Sequence, residues 1–344
     1  MKTVLIFCGI LGFTGLSAQA LPEKTMIAFY NLENFFDTVH NPQINDLDFT
    51  PGGIKQYNSF VYRDKVRHLA RVLSGLGDPA GIQAPALIGV AEVENDTVLE
   101  DLVRHPLLRK YPYHFIHFDS PDPRGIDVAL LYRPDLFVPA QAKAIPVALP
   151  SGSKLAYHTR DILYVQGYLS GDLIHVFVNH WPSRRGGERR SAPARAKAAG
   201  ICRDKIREIL HDAPGARILL MGDLNDDPTS PSLRKALGAR DAPGKTGPED
   251  LFNPWVACYR KGIGTLANRD AWGLFDQILI SQSWLLPKPG WRFVGQGIYN
   301  QPFMVENTGR YRGYPMRTWD GNRYRGGYSD HFPTYLIFTH IRTD

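Results

Sequence analysis

Nine short apolar runs, most of them ending on a polar or charged group, constrain this chain more than any other feature. They occupy residues 26–30, 86–90, 113–118, 128–132, 163–169, 174–178, 218–221, 274–280 and 332–338. Runs of this length and β-rich composition are strand-sized. Ser170-Gly171-Asp172 separates two of them as a hairpin turn. Helical spacing occurs at Val66, Leu69, Leu73 and Leu76, and again over residues 192–210. Strands outnumber helices, and several are joined by hairpins instead of crossover helices. The predicted class is therefore α+β, with mixed sheets packed on each other and helices outside, and not a doubly wound parallel sheet. No linker, charge block or repeat divides the chain, so a single domain is predicted.

The first residues read separately. Met1-Lys2 is positive, residues 4–13 are apolar but too short to span a bilayer, and Ala18-Gln19-Ala20 offers small residues to a signal peptidase. The expectation is a signal peptide over residues 1–20, cleaved near Ala20, with export of residues 21–344 to a periplasmic or extracellular space. Cys8 lacks the preceding small residue of a lipoprotein site. Cys202 and Cys258 could form one disulfide, which the sequence leaves open, and they are too few for structural zinc. The net charge of +6 suits a polyanionic substrate.

Polar groups gather at the strand ends. Tyr30 leads into Asn31-Leu32-Glu33-Asn34, residues 87–90 into Glu92 and Glu94, and residues 176–178 into Asn179-His180. Residues 219–222 lead into Asp223-Leu224-Asn225, Leu274-Phe275 precede Asp276, and Ser329 introduces Asp330-His331. A carboxylate at a strand end is costly unless solvated, paired or metal-bound. Any one of the six reads as a turn or cap; together they point to a site. Phosphoester cleavage needs such a set: oxygen ligands for a hard cation, a carboxylate to align water, and donors for the growing charge on phosphate. There is no His-Glu-x-x-His, no Gly-x-Ser-x-Gly elbow and no phosphate-binding Gly-rich loop ending in Lys-Ser/Thr.

These segments, with Arg124-Gly125-Ile126-Asp127 and Asp276-Gln277, resemble the ordered motifs of the endonuclease/exonuclease/phosphatase family from Met26 to about Phe338. The resemblance implies a four-layer α/β/β/α sandwich and a divalent-metal-dependent phosphoesterase. It implies Glu92 as main metal ligand, helped by Asn31 and Asp330, with Mg2+ or Mn2+ as the ion and Ca2+ as an optional structural one. Asp223 would activate water, Asn225 would orient the phosphate, His331 would stabilise the transition state with Asp276 on its other nitrogen, and His180 would act from the opposite side. Arg124 and Asp127 read either as phosphate donor and partner of His180 or as a salt-bridged turn. Glu33 stands where many family members carry a shorter acid or another residue, and Glu94 reads either as a support behind the metal ligands or, the preferred reading, as a solvated acid at the start of the helix after Asn95.

Two basic stretches flank these motifs. One spans residues 181–190; the other sets Arg310, Arg312, Arg317, Arg323 and Arg325 among Tyr311, Tyr314, Trp319 and Tyr324. Interleaved arginines and aromatics suit phosphate contact and base stacking, so Arg312, Arg323 and Tyr324 are candidate substrate contacts. Nucleic acid is the expected substrate and a monomer the expected state, with no obligate protein partner evident. The alternatives are a phospholipid, sphingomyelin or inositol-phosphate esterase, for which Trp284-Leu285-Leu286 is the candidate membrane segment, a phosphatase of small phosphate esters, and a non-catalytic binding module.

Overall fold

Side chains alternate between the two faces of a strand, and the central strands are apolar throughout because both their faces are covered. The structure, a computed structural model, describes residues 22–149 and 159–342; the expected signal peptide lies outside the described residues. In chain order the strands are β1 (Lys24–Phe35), β2 (Leu87–Val93), β3 (His114–His117), β4 (Asp127–Tyr132), β5 (Phe137–Ile145), β6 (Ile162–Leu169), β7 (Asp172–His180) and β8 (Arg217–Asp223). They continue as β9 (Ala239–Arg240), β10 (Leu251–Phe252), β11 (Leu266–Asn268), β12 (Ala271–Gly273), β13 (Asp276–Ser281), β14 (Gly290–Ile298), β15 (Trp319–Asp320), β16 (Arg323–Tyr324) and β17 (Thr334–Ile341). The α-helices are α1 (Ser59–Gly75), α2 (Asp96–Val103), α3 (Glu188–Asp212) and α4 (Val256–Arg260).

Two mixed sheets result, one ordered β14-β17-β1-β2-β4-β3 and the other β5-β6-β7-β8-β13-β10-β9. In β1, Ile27 and Phe29 face the second sheet, meeting Val176, Val178, Leu219 and Met221. Met26, Ala28 and Tyr30 turn the other way, onto Leu69 and Leu73 of α1 and Leu99 of α2. On the far side, Phe177, Ile218 and Leu220 lie under Ala198, Cys202 and Ile206 of α3. The architecture is the expected α/β/β/α sandwich.

The differences from expectation have local causes. Strands β5 and β14 lie at sheet edges, where a one-sided strand needs no apolar run. β5 carries Pro139 beside a register shift, and β14 carries Gly295 and Gly297, both tolerated at an edge. Helix α3 starts four residues earlier than its apolar pattern, passing Pro193 within its first turns. Cys202 and Cys258 are both free thiols. Trp284 is fully buried between the sheets and donates to the Ile218 carbonyl, so it exposes nothing to a lipid surface. Among the described residues, no helix is long and apolar enough to cross a membrane.

Candidate active site

Topology brings the motifs together before any side chain is considered. The parallel pairs β1–β2 and β7–β8 point their C-termini the same way, while β13 and β17 run antiparallel and begin at that end. His180 is register-paired with Asp223, and Asp223 with Asp276, so three candidate residues stand abreast on β7, β8 and β13. Gly222 permits this: a Cβ there would lie 2.2 Å from the Asn179 carbonyl oxygen. Glu92 follows the Asn31–Ala91 pair, and Asp330-His331 arrive just ahead of β17. Four site residues hold left-handed backbone, Glu33 (φ 51), Asn34 (φ 50), Glu92 (φ 63) and Asn225 (φ 49). Each costs on the order of 1–3 kcal/mol for a non-glycine residue, and such strain clusters where function requires it.

The side chains form a connected chain. His331 Nδ1 lies 2.7 Å from Asp276 Oδ2, which also accepts from Thr265 Oγ1 at 2.5 Å. His331 Nε2 faces Asp223 Oδ2 at 4.0 Å and Asp330 Oδ1 at 3.9 Å. Asp223 accepts from the Asn225 amide at 3.0 Å and from Asn31 Nδ2 at 3.1 Å, and lies 3.6 Å from His180 Nε2. Asn225 Nδ2 donates to the Trp181 carbonyl. Ser329 donates to the Asn31 carbonyl and accepts from the His331 amide, tying the first motif to the last.

Their protonation follows from burial and charge. Burial alone would lower His331, but Asp276, and then Asp330 and Asp223, outweigh it and hold the imidazole well above its ordinary value. These carboxylates favour its cationic form. Burial pushes the Asp223 carboxyl up to about 7, with His331 opposing and Asp276 adding to the rise. His180 is held well below its ordinary value, first by burial and then by Arg160 and Arg124, so it is neutral.

Asp127 is not the partner of His180. It faces His117 Nε2 at 3.3 Å, whose Nδ1 lies 2.8 Å from Asp96. A geometric cluster of His117, Asp119 and Asp127 exists, but both imidazole nitrogens of His117 are already engaged by carboxylates. The support of His180 comes instead from Arg160, which the sequence reading missed. Arg160 is buried, donates to the carbonyls of His180 and Trp181, and pairs with buried Asp122 at 2.9 Å. Its signal was present: Arg160-Asp161 heads the apolar strand β6, as the other charges end theirs. Arg124 lies 3.5 Å from Asp122 and remains partly exposed.

The donors suit a hard cation. Asp223, Asp276 and His331 place ligand atoms within 4.8 Å of one another, and Glu92 Oε1 lies 3.9 Å from His180 beside them. Asp276 Oδ1 is buried without a hydrogen bond, and Asp223 is driven toward protonation by burial. His331 compensates these two carboxylates only in part, which leaves room for the positive charge of an ion. Glu92 and Asp330 offer further oxygens, whereas Asn31 turns its amide nitrogen toward Glu92 and Asp223 and its oxygen toward the Glu33 amide. Glu33 accepts from the amides of Thr318 and Trp319 and so anchors the arginine-rich loop. Lys65, fully buried on α1, donates to Thr318 and Tyr328 beneath it.

Glu94 is buried, not solvated; its carboxylate accepts from the Asp37 amide at 2.7 Å while Asn95 caps α2. Burial, and then Asp37 and Asp46, push its carboxyl up to about 8. A raised carboxyl pKa means stability present at low pH and lost as pH rises from the unfolded value toward 8. Glu94→Gln is therefore expected to raise Tm at pH 8 by about 2 °C or more and to change it little at pH 4. Thermal melts at the two pH values check this; an equal effect at both refutes the assignment.

The basic stretches divide. Arg184 pairs with Asp226 (3.1 Å) and Asp227 (3.0 Å) and lies over Phe275, bracing the loop after β8. Arg317 faces Asp330 at 3.9 Å and Arg325 faces Glu306 at 3.3 Å. Tyr324 packs edge-on to Trp319 and donates to Asp64 on α1, so its ring is half-buried in an aromatic cluster. Arg312 and Arg323 are exposed, with no carboxylate within 4.0 Å among the described residues.

The two sheets thus gather buried carboxylates and two histidines with opposite pKa shifts at one end of the sandwich. The chain belongs to the Endonuclease/Exonuclease/phosphatase family, whose profile matches residues 26–340, and is a metal-dependent phosphoric ester hydrolase of that type. No curated protein matches it by sequence. Its fold is similar to that of D. rerio TDP2 complexed with single strand DNA product: 16% identity, TM-score 0.56, covering 92% of this chain and 100% of that one. A Bacteroides thetaiotaomicron mannosyl-6-phosphatase is similar at 17% identity and TM-score 0.57, covering 92% and 99%. An endonuclease/exonuclease/phosphatase from Bacteroides vulgatus is similar at 14% identity and TM-score 0.53, covering 92% and 99%.

Proposed function

We propose that the chain is an exported, Mg2+- or Mn2+-dependent phosphoesterase that hydrolyses its ester by in-line attack of water activated at Asp223. The observation that carries this reading is the Asp276–His331–Asp223 array facing a neutral His180 across Asp223. Asp223 accepts the proton of the attacking water. His331, kept cationic by Asp276, donates from Nε2 to the charge that grows on the phosphoryl oxygens. His180 lies on the other side of Asp223, as a neutral group able to donate to a phosphate or leaving-group oxygen. Glu92 and Asp330, with the Asp223 side of the cluster, would hold the cation, which supplies charge neutralisation at the phosphate.

Two substrate readings rest on different residues. Exposed Arg312 and Arg323, which face no carboxylate among the described residues, favour a nuclease. The closing of other arginines around a pocket favours a small phosphate ester. A panel of DNA, RNA, sphingomyelin, inositol phosphates and small monoesters, with chelator and with added Mg2+ or Mn2+, tests the proposal. Activity is expected to vanish with chelator and return with metal; full turnover by the metal-free chain would refute it. For a nuclease, log affinity should fall with log salt by roughly 0.7–0.9 per phosphate contact, and removing Arg312 and Arg323 should flatten the slope.

A further inference from the structure

A cavity of about 140 Å³ lies between the β11–β12 hairpin and the loop that carries the second basic stretch. Three contacts place it against the site. Arg317 on its wall lies 3.9 Å from Asp330; Thr265, which leads into β11, donates to Asp276; and Trp272 on β12 stacks on Phe332, next to His331. Four arginines line it: Arg269, Arg310, Arg317 and Arg325. Three carboxylates, Asp270, Glu306 and Asp320, share the same wall. We infer that this cavity takes the sugar ring of a phosphorylated monosaccharide and so seats its phosphate beside His331 and Asp223, an inference that rests on the phosphoesterase reading above.

The lining chemistry separates this ligand from its rivals. Arginine only donates and carboxylate only accepts, whereas a hydroxyl does both, so a polyhydroxylated ring uses an interleaved wall fully. A second phosphate would use only the donors and would face the carboxylates as like charges. A nucleic-acid strand needs a groove several nucleotides long. This cavity falls below the roughly 300–1,000 Å³ typical of drug-sized ligands, which leaves room for one ring. Tyr311, exposed at the mouth with Arg310 over it, offers an aromatic face to the apolar side of such a ring. The wall is also preformed. Arg269 (φ 50) and Asp270 (φ 64) form a strained turn, locked by the Tyr314 hydroxyl, which accepts from the Asp270 amide at 2.7 Å and donates to its carboxylate at 2.6 Å. Arg269 and Arg310 have no carboxylate within 4.0 Å among the described residues, so their donors are available to a ligand.

The test compares kcat/KM of the intact, Mg2+-supplied chain for glucose 6-phosphate and mannose 6-phosphate with p-nitrophenyl phosphate and a 5′-phosphorylated thymidine dinucleotide. A hexose 6-phosphate is expected to be the best of the four. Arg310→Ala should lower the ratio of hexose phosphate to aryl phosphate turnover by roughly 10-fold or more, mainly through KM, the scale for a lost charged hydrogen bond. Asp320→Asn discriminates further: a hydroxyl ligand trades a charged acceptor for a weaker neutral one and binds more weakly, while a purely anionic ligand would bind more tightly. Faster turnover of the dinucleotide, equal losses for hexose and aryl phosphate, or tighter binding by Asp320→Asn would overturn the inference. If the wild-type chain hydrolyses none of the four, the wider ester panel above decides the phosphoesterase reading. Calorimetry with glucose 6-phosphate and mannose 6-phosphate then decides the cavity alone: binding weakened by Arg310→Ala upholds it, and no binding refutes it.

Discussion

His331→Ala and Asp223→Asn are each expected to lower kcat by at least ~10²-fold, the scale for losing electrostatic or acid–base help in a transition state. The reason lies in their protonation. His331 is cationic because Asp276, 2.7 Å away, outweighs its burial, so alanine removes a positive charge that faces Asp223. Asp223 holds its proton up to about 7 because it is buried, which places its basicity near the operating pH. Asparagine keeps its shape and can still accept from the Asn225 amide, but cannot take a proton from water. The two groups act on one transition state, so the double variant should lose much less than the product of the single losses. Asp276→Asn should imitate His331→Ala in part, since it leaves the imidazole without its charge partner. Steady-state kinetics on the best ester of the panel checks all four variants. Wild-type turnover by His331→Ala would remove that residue from the chemistry, and strictly multiplicative losses would show that the two do not act on one transition state.

The frame of this site was legible because strand ends are a one-dimensional signal. An apolar run followed by Asp223 or by Asn179-His180 announces its charge in the sequence, and β7 and β8 then deliver both residues in register. The two-sheet core was legible for the same reason: strands such as β1 are buried on both faces and therefore apolar without a break. Edge strands β5 and β14 carry no such pattern. Pairing was less legible than position. Asp127 sits close in sequence to Arg124, yet the fold turns it toward His117, 10 residues before it, and leaves His180 to Arg160, 20 residues away. Such partners depend on where loops return, which local spacing does not encode. The arginine-rich loop shows the same limit. Its residues alternate in the sequence, but Glu33 pins the backbone at Thr318 and Trp319, turning Tyr324 inward while Arg310 and Arg317 line a cavity.

Removing one carboxylate from this crowd is expected to separate stability from function. Glu92 holds left-handed backbone at φ 63 and lies beside His180, Asn31 and Asn34, with Asp223 close by across Asn31. Without a cation, its charge adds to those of Asp223, Asp276 and Asp330. Glu92→Gln keeps an oxygen to accept from the Asn34 amide, gives up only the long 3.4 Å contact from Asn31 Nδ2 and loses that repulsion, so the metal-free variant should melt at or above the wild-type Tm. With metal the order should reverse. A ligand at 100 times its Kd stabilises by about 2.7 kcal/mol, and tenfold weaker binding removes about 1.4 kcal/mol of that. The metal-induced rise in Tm should therefore shrink in Glu92→Gln, and the Mg2+ concentration for half-maximal rate should increase at least about tenfold. Melts with chelator and across a Mg2+ titration, read beside activity, measure both quantities on the same samples. An unchanged metal-induced rise would show that Glu92 holds no ion; a lower metal-free Tm would show that its hydrogen bonds, and not its charge, are what the fold requires.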